Sequence, residues 1–142
     1  MNTSAILESL LVSSHRLVRI AAQSTGSTTP SAIWRTLSIL ESEGPLRIGE
    51  LARISRVTQP GMTRLLSTMV EEELVLRIAD VDDSRAWLIR ITPKGAERLA
   101  DWRSTLTGEL ETLFGELPES DWQALARAAE LLDSRTAAVA VA

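Results

Sequence analysis

The sequence predicts a mainly helical α+β fold: a winged helix-turn-helix with a two-stranded wing and dimerisation helices at the N- and C-termini. Three observations predict it. Two short amphipathic helical patterns lie on either side of a tight turn, two strand-like runs flank a polar turn, and a Thr-Pro pair then opens another helix. At 142 residues a single domain over 1–142 is expected, with the winged region at 30–95 and dimerisation helices at 1–25 and 96–142.

The first helical pattern follows residue 46. Ile48, Leu51 and Ile54 recur at helical spacing, whereas Arg53 and Arg56 fall on the polar side. This arrangement is typical of a short amphipathic helix that packs on a core.

The second helical pattern begins at about Thr58. The Thr58 hydroxyl can accept hydrogen bonds from the free amides of the first turn, and Pro60 suits a turn whose N–H groups have no intrahelical partner. An apolar stripe follows at steps of three and four residues: Met62, Leu65, Leu66, Met69 and Val70.

The other side of this second helix carries hydrogen-bonding side chains and no acid before Glu71. These residues are Gln59, Thr63, Arg64, Ser67 and Thr68. A helix that enters the major groove needs such side chains and must keep carboxylates away from phosphates. The alternative is an ordinary solvated face, although such a face more often mixes Glu with Lys.

The next segment predicts a hairpin. Residues 74–78 and 87–91 are rich in aliphatic, β-branched and aromatic side chains, and the polar stretch 80–84 between them favours a turn. Thr92 then provides an N-cap and Pro93 a first helical residue for a helix to about Leu117.

The termini predict further apolar helices. One runs from about Thr3 to Ala22, and Ser120 with Gln123 forms a capping-box pattern that starts another. A winged region needs less apolar helix than this, so part of it is expected to bury against a second copy of the chain.

Two segments resemble the MarR family of bacterial and archaeal transcription regulators. Residues 83–95, DSRAWLIRITPKG, are similar to its wing signature Asp-x-Arg-x5-Leu-Thr-x-x-Gly, with Ile91 in place of the usual Leu. Residues 58–65, TQPGMTRL, are similar to the start of its recognition helix. The resemblance implies a homodimer that regulates transcription, as a ligand-responsive repressor, by binding double-stranded DNA at a near-palindromic operator.

The resemblance and the residue pattern together select the DNA-binding candidates. They are Arg47, Thr58, Gln59, Pro60, Gly61, Thr63, Arg64, Ser67, Arg77, Asp83, Arg85 and Arg90. In the resembled family Arg85 is the wing arginine and Asp83 the carboxylate that orients it. The family also implies a small aromatic or phenolic anion as effector, with these candidate contacts: His15, Arg16, Trp34 and Trp102. Core, interface or surface roles are the alternative for each of the four.

The acidic hairpin tip departs from relatives that carry basic residues there. Asp80, Asp82 and Asp83 would repel phosphates, so Arg77 and Arg90 on the strands would supply the phosphate contacts. Alternatively, the acids pair with Arg85 and Arg77, and the hairpin supports the fold without binding DNA.

Composition limits the other classes of function. The net charge is −4, yet residues 45–70 hold four arginines against one glutamate. The chain has no cysteine and one histidine, so a disulfide, a thiolate zinc site, a thiol sensor and a multi-histidine metal site are not expected. We expect no cofactor, no catalytic residue and no membrane partner, and the absence of a long apolar run predicts a cytoplasmic protein. A winged module that binds a protein partner instead of DNA is the alternative function.

Overall fold

The computed structural model describes residues 1–139. Over these residues the chain forms six helices and three strands. In chain order they are α1 (Thr3–Ser24), α2 (Ser31–Glu43), β1 (Leu46–Arg47), α3 (Ile48–Ser55), α4 (Gln59–Glu71), β2 (Val75–Asp80), β3 (Asp83–Ile91), α5 (Pro93–Phe114) and α6 (Glu119–Thr136). The mainly helical winged fold that the sequence predicted is therefore confirmed.

The chain divides into two compact units. The first comprises residues 1–29 and 102–116, and the second comprises residues 30–101 with the segment that begins at Leu117. The second unit contains α2, the sheet, α3 and α4, and so holds the whole predicted winged region. The last three residues of the predicted dimerisation segment, 140–142, lie outside the described part of the chain.

The core of the second unit is built on the predicted stripe of α4. Met62, Leu66 and Met69 are fully buried, and α4 packs against α3, α2 and β2. Other fully buried apolar side chains in this unit are Leu37, Leu40, Leu51, Leu74, Val75, Ile89 and Leu99. Because the stripe faces inward, the polar side of α4 faces solvent.

The sheet is antiparallel, in the order β1-β3-β2. Strands β2 and β3 form the predicted wing. The turn between them comprises only Val81 and Asp82, and is shorter than the predicted turn at 80–84. Strand β1 was not predicted, because two residues are too few to show a period of two. It pairs Arg47 with Leu88 of β3.

Two helix ends differ from the sequence prediction. Helix α5 ends at Phe114, not near Leu117, because Gly115 adopts a left-handed φ of 57° that glycine tolerates and that ends helices. Helix α6 begins at Glu119, so the predicted Ser120 cap is wrong. Pro118 is the N-cap residue instead, since its ring holds φ near the observed −56° and the extended ψ of 149° leads into the helix.

Helix α1 in the first unit begins one residue after Asn2, whose side chain accepts a hydrogen bond from the amide of Ala5 at 3.0 Å. Ala21 is its one buried residue, whereas Leu7, Leu11 and Val18 are exposed. None of the helices within residues 1–139 combines the length and the apolar character that a transmembrane helix requires.

Candidate nucleic-acid interface

The start of α4 is set by a side-chain cap. The Oγ1 atom of Thr58 accepts a hydrogen bond from the amide of Gly61 at 3.2 Å, as the sequence predicted. A β-carbon on Gly61 would lie 3.0 Å from that same oxygen, so the glycine leaves room for the cap. Pro60 lies in the first turn. The Thr58 side chain therefore satisfies the Gly61 amide, and the glycine keeps the surface of this turn free of a side chain.

The predicted polar flank of α4 is exposed along the whole helix. Its members Gln59, Thr63, Arg64, Ser67 and Thr68 are all exposed. The Thr63 hydroxyl donates to the carbonyl of Gln59 at 3.0 Å and so presents its methyl group and a free acceptor lone pair outward. The flank thus offers guanidinium, amide and hydroxyl groups, the side chains that recognise base edges.

The turn before α4 depends on a residue with a left-handed backbone. Arg56 has φ 57° and ψ 42°, and its amide donates to the carbonyls of Ala52 and Arg53 at the end of α3. Left-handed conformations are uncommon for residues other than glycine. This tight reversal places α4 directly after α3, the geometry of a helix-turn-helix.

The wing is joined to β1 by an ion pair. The Nη2 and Nε atoms of Arg47 lie 2.7 Å and 3.0 Å from Oδ2 of Asp80. The other carboxylate oxygen of Asp80 accepts the amide of Asp82 at 2.9 Å. Hydrogen bonds hold the pKa of the Asp80 carboxyl below its ordinary value of 3.8, with the larger contribution from the Asp82 amide and the next from the Arg47 guanidinium. In turn, Asp80 raises the pKa of Arg47.

This arrangement changes the interpretation of the acidic tip. The sequence alone made Asp80 one of three repulsive acids, whereas the structure shows it nearly buried and paired with Arg47. Sequence reasoning missed this role because the two residues are 33 positions apart. No local pattern reports such a contact.

The wing arginine lies at the tip of the hairpin. The Arg85 amide donates to Oδ1 of Asp83 at 3.0 Å, and its Nε atom lies 3.6 Å from the same oxygen. The Arg85 side chain is 91% exposed. Asp83 therefore stands next to an arginine that projects into solvent.

The two strand arginines are exposed on opposite faces of the hairpin. Arg77 pairs with Ile89, and Arg90 pairs with Leu76 in the next pair along the two strands. Side chains of successive pairs point to opposite faces of a sheet. Both arginines are therefore available to solvent, but from different sides of the wing.

The junction between the wing and α5 is built by the end of the signature. The Thr92 hydroxyl donates to the carbonyl of Glu73 at 2.7 Å and accepts the amide of Gly95 at 2.9 Å. The Thr92 amide donates to the carbonyl of Leu74 at 3.0 Å. The Thr and Gly of the signature thus have structural roles.

The predicted effector contacts fall in different units. His15 and Arg16 are exposed on α1, and Trp102 is half-buried, all within the first unit. Trp34 is half-buried on α2 in the second unit.

Comparison with protein families finds a match over part of the chain. Residues 30–87 match the model of the MarR family. No curated protein matches the sequence.

Three solved structures illustrate the fold. The RV1404 protein of Mycobacterium tuberculosis is 23% identical with a TM-score of 0.74, covering 95% of this chain and 94% of that one. A MarR family protein of Bacillus stearothermophilus is 23% identical, with a TM-score of 0.71 and coverages of 96% and 98%. MepR, a transcription regulator of the Staphylococcus aureus multidrug efflux pump MepA, is 22% identical, with a TM-score of 0.66 and coverages of 94% and 98%. At these identities the likeness concerns the fold.

Proposed function

We propose that this chain is a transcription regulator of the MarR family, whose model its residues 30–87 match, and that it represses transcription as a homodimer on a near-palindromic operator and responds to a ligand. Members of this family are DNA-binding regulators of transcription and not enzymes, which supports the proposal. The observation that carries the proposal is the acid-free flank of α4. It is exposed, whereas Met62, Leu66 and Met69 of the opposite stripe are fully buried.

We assign base recognition to the middle of this flank. Arg64 has the donors for a bidentate contact with guanine, and Gln59 has the amide for adenine. Thr63 and Ser67 continue the surface by one turn each, with a methyl group and a hydroxyl. All four side chains are exposed.

The N-terminus of α4 is proposed to contact a phosphate. The positive end of the helix dipole lies at the first turn and favours an anion. Thr58, Pro60 and Gly61 form this turn, and Gly61 has no side chain to obstruct a close approach. Such a contact sets the register of α4 on the duplex without reading sequence.

The wing is proposed to lie in the adjacent minor groove. Arg85, next to Asp83, projects from its tip. A ribbon in a minor groove has one phosphate strand on each side, so Arg77 and Arg90, on opposite faces, can each reach one strand. Arg47, whose side chain is 46% exposed, lies beside the wing through its ion pair with Asp80.

Homodimer formation is supported by apolar side chains that the single chain leaves exposed. On α6, Trp122, Leu125 and Leu132 share one side of the helix and are each at least 40% exposed. On α1, Leu7, Leu11 and Val18 are exposed as well. A two-fold axis would place two α4 helices in successive major grooves roughly 34 Å apart, which requires half-sites about one helical turn apart.

We also propose that the effector is a small aromatic or phenolic anion. Within the first unit, Arg16 and His15 offer charge and hydrogen bonds to such an anion, and Trp102 offers a stacking surface. Titrating the protein–operator complex with a panel of aromatic carboxylates and phenols should release DNA. Release that persists unchanged in the Arg16→Gln variant would exclude Arg16 from the site.

Selection of bound fragments from random duplex DNA tests the proposed function. We expect an enriched near-palindrome with half-sites about one turn apart, bound with an affinity that falls steeply with salt. The slope of log affinity against log salt should be near −0.9 for each phosphate contacted. Enrichment of no sequence, with affinity indifferent to salt, would instead indicate a winged module that binds another protein.

A further inference from the structure

The Arg47–Asp80 ion pair spans the sheet from one outer strand to the other. In the order β1-β3-β2, Arg47 and the β2 residue Ile78 both pair with Leu88 of the central strand, so the three side chains share a face. Asp80 follows Ile78 by two residues, and its contact with Arg47 confirms that it lies on the same side. The pair therefore crosses over β3.

The ion pair is well suited to hold the outer end of β2 in place relative to β1. The Asp80 side chain is only 9% exposed, and its two oxygens have separate partners. Oδ2 accepts both Arg47 bonds, whereas Oδ1 accepts the amide of Asp82 within the hairpin turn. A charged group with two oriented hydrogen-bonding partners is held more firmly than an exposed surface pair.

Arg47 also begins the helix-turn-helix. It is the N-cap residue of α3, and its amide donates to Oε1 of Glu50 in the first turn at 3.2 Å. One residue thus contacts the start of α3 through its backbone and the outer end of β2 through its side chain.

Beyond the ion pair the hairpin tip is open to solvent. Val81 is 97% exposed and the Arg85 side chain is 91% exposed. The strand register also shifts between Ala79 and Asp80, which bends the ribbon at this point. The orientation of the tip is therefore sensitive to whatever holds Asp80.

We propose that Arg47 and Asp80 are positioning residues that fix the wing against the helix-turn-helix, so that the Asp80 carboxylate strengthens DNA binding. The inference rests on the proposed function, because it assigns the wing a place on DNA. Its distinctive consequence is the sign of the effect. Removing a negative charge from a DNA-binding surface ordinarily strengthens binding. Here the removal weakens binding, because the wing loses its attachment.

The experiment compares two neighbouring carboxylates. Asp80→Asn removes the charge and keeps an oxygen that can accept the Asp82 amide. Asp82→Asn, on an exposed residue of the same turn, is the matched control. Operator affinity, measured by fluorescence anisotropy, should fall about tenfold in Asp80→Asn and stay equal or rise in Asp82→Asn.

A second set of variants changes Arg47, the partner of Asp80 in the ion pair. Arg47→Gln should weaken binding about as much as Asp80→Asn, and the double variant should be no weaker than either single variant, since both break one interaction. Arg47→Lys keeps the charge and should recover part of the affinity. The salt slope of Asp80→Asn should become shallower than that of the unmodified protein, because the phosphate contacts proposed for Arg77 and Arg90 weaken when the wing loses its attachment, whereas the slope of Asp82→Asn should not.

Hydrogen exchange of the free protein gives a readout without DNA. Amides of the wing tip should exchange faster in Asp80→Asn than in the unmodified protein, whereas amides of α4 should keep their rates. This separates loss of wing position from general unfolding.

Two results would overturn the inference. In one, Asp80→Asn binds the operator as tightly as Asp82→Asn with unchanged exchange at the wing tip. In the other, Arg47→Gln lowers the salt slope by about 0.9 while Asp80→Asn has no effect, which makes Arg47 a simple phosphate contact. Failure of the unmodified protein to bind any duplex would overturn the proposed function first, and the inference with it.

Discussion

Gly95 packs so closely under the carbonyl oxygen of Leu74 that a β-carbon on residue 95 would overlap that oxygen. The carbonyl cannot easily move away, because it accepts the Thr92 amide at 3.0 Å. The hydroxyl of Thr92 is held in turn by the carbonyl of Glu73 and the amide of Gly95. The last glycine of the wing signature is thus required where α5 meets the start of the wing.

Gly95→Ala should destabilise the fold. Alanine in place of a helical glycine ordinarily adds up to about 1 kcal/mol of stability. The overlap with Leu74 should outweigh that gain, and we expect a net loss of about 1 to 3 kcal/mol in the free energy of unfolding. Urea titration at a fixed protein concentration measures it.

Gly108 in the same helix is the matched control. A β-carbon there would meet no atom within 4 Å, so Gly108→Ala should stabilise by about 0.5 to 1 kcal/mol. Equal and favourable effects at both positions would show that the packing at Gly95 is not restrictive.

Arg64→Ala should weaken operator binding by about 1 to 3 kcal/mol, because it removes a proposed base contact from the exposed flank of α4. Affinity for a duplex of scrambled sequence should change less. Arg98→Ala removes the same charge from an exposed position on α5 and serves as the control. Unchanged operator affinity in an anisotropy titration would exclude Arg64 from base recognition.

Leu125→Asp should shift the chain from dimer to monomer, because it places a charge within the exposed apolar side of α6 that we assign to the dimer interface. Sedimentation velocity over a range of concentrations measures the shift. Gln123→Asp adds the same charge on the polar side of the same helix and should leave the dimer intact. A chain that is monomeric before any substitution would refute the assignment.

Acid should destabilise the unmodified protein more than the Asp80→Asn variant. Because the folded pKa of Asp80 lies below its ordinary 3.8, the unfolded chain takes up a proton at higher pH than the folded chain does. The stability from Asp80 is therefore complete above that ordinary value and is lost as pH falls through the folded pKa. Urea titrations between about pH 5 and pH 2 should show a steeper fall for the unmodified protein. Parallel curves for the two proteins would contradict this linkage.

Much of the fold could be predicted because its patterns are local. The three- and four-residue steps of Met62, Leu66 and Met69 predicted the buried face of α4, and the structure buries all three completely. The Thr58 cap was likewise predicted and is formed, since the cap and its partner are three residues apart. The Ser120 cap was predicted by the same reasoning and is wrong, because Pro118 starts α6 earlier.

The environment of the acidic tip could not be predicted in the same way. The sequence offered Arg77 and Arg85 as the nearby arginines with which the acids of the tip could pair. In the structure Asp80 pairs instead with Arg47, which lies on a strand too short to be recognised from the sequence. Strand order brings these residues together across β3.

The amino-acid sequence by itself determined the winged helix-turn-helix, the inward and outward sides of α4 and the family signature, because spacing over a few residues encodes all three. Only the tertiary structure decided that Asp80 is a buried partner and not a repulsive acid, and that Gly95 lies against the Leu74 carbonyl. Both depend on contacts between distant parts of the chain. Such contacts arise when the strands pair and the helices pack, and no periodicity within either segment records them.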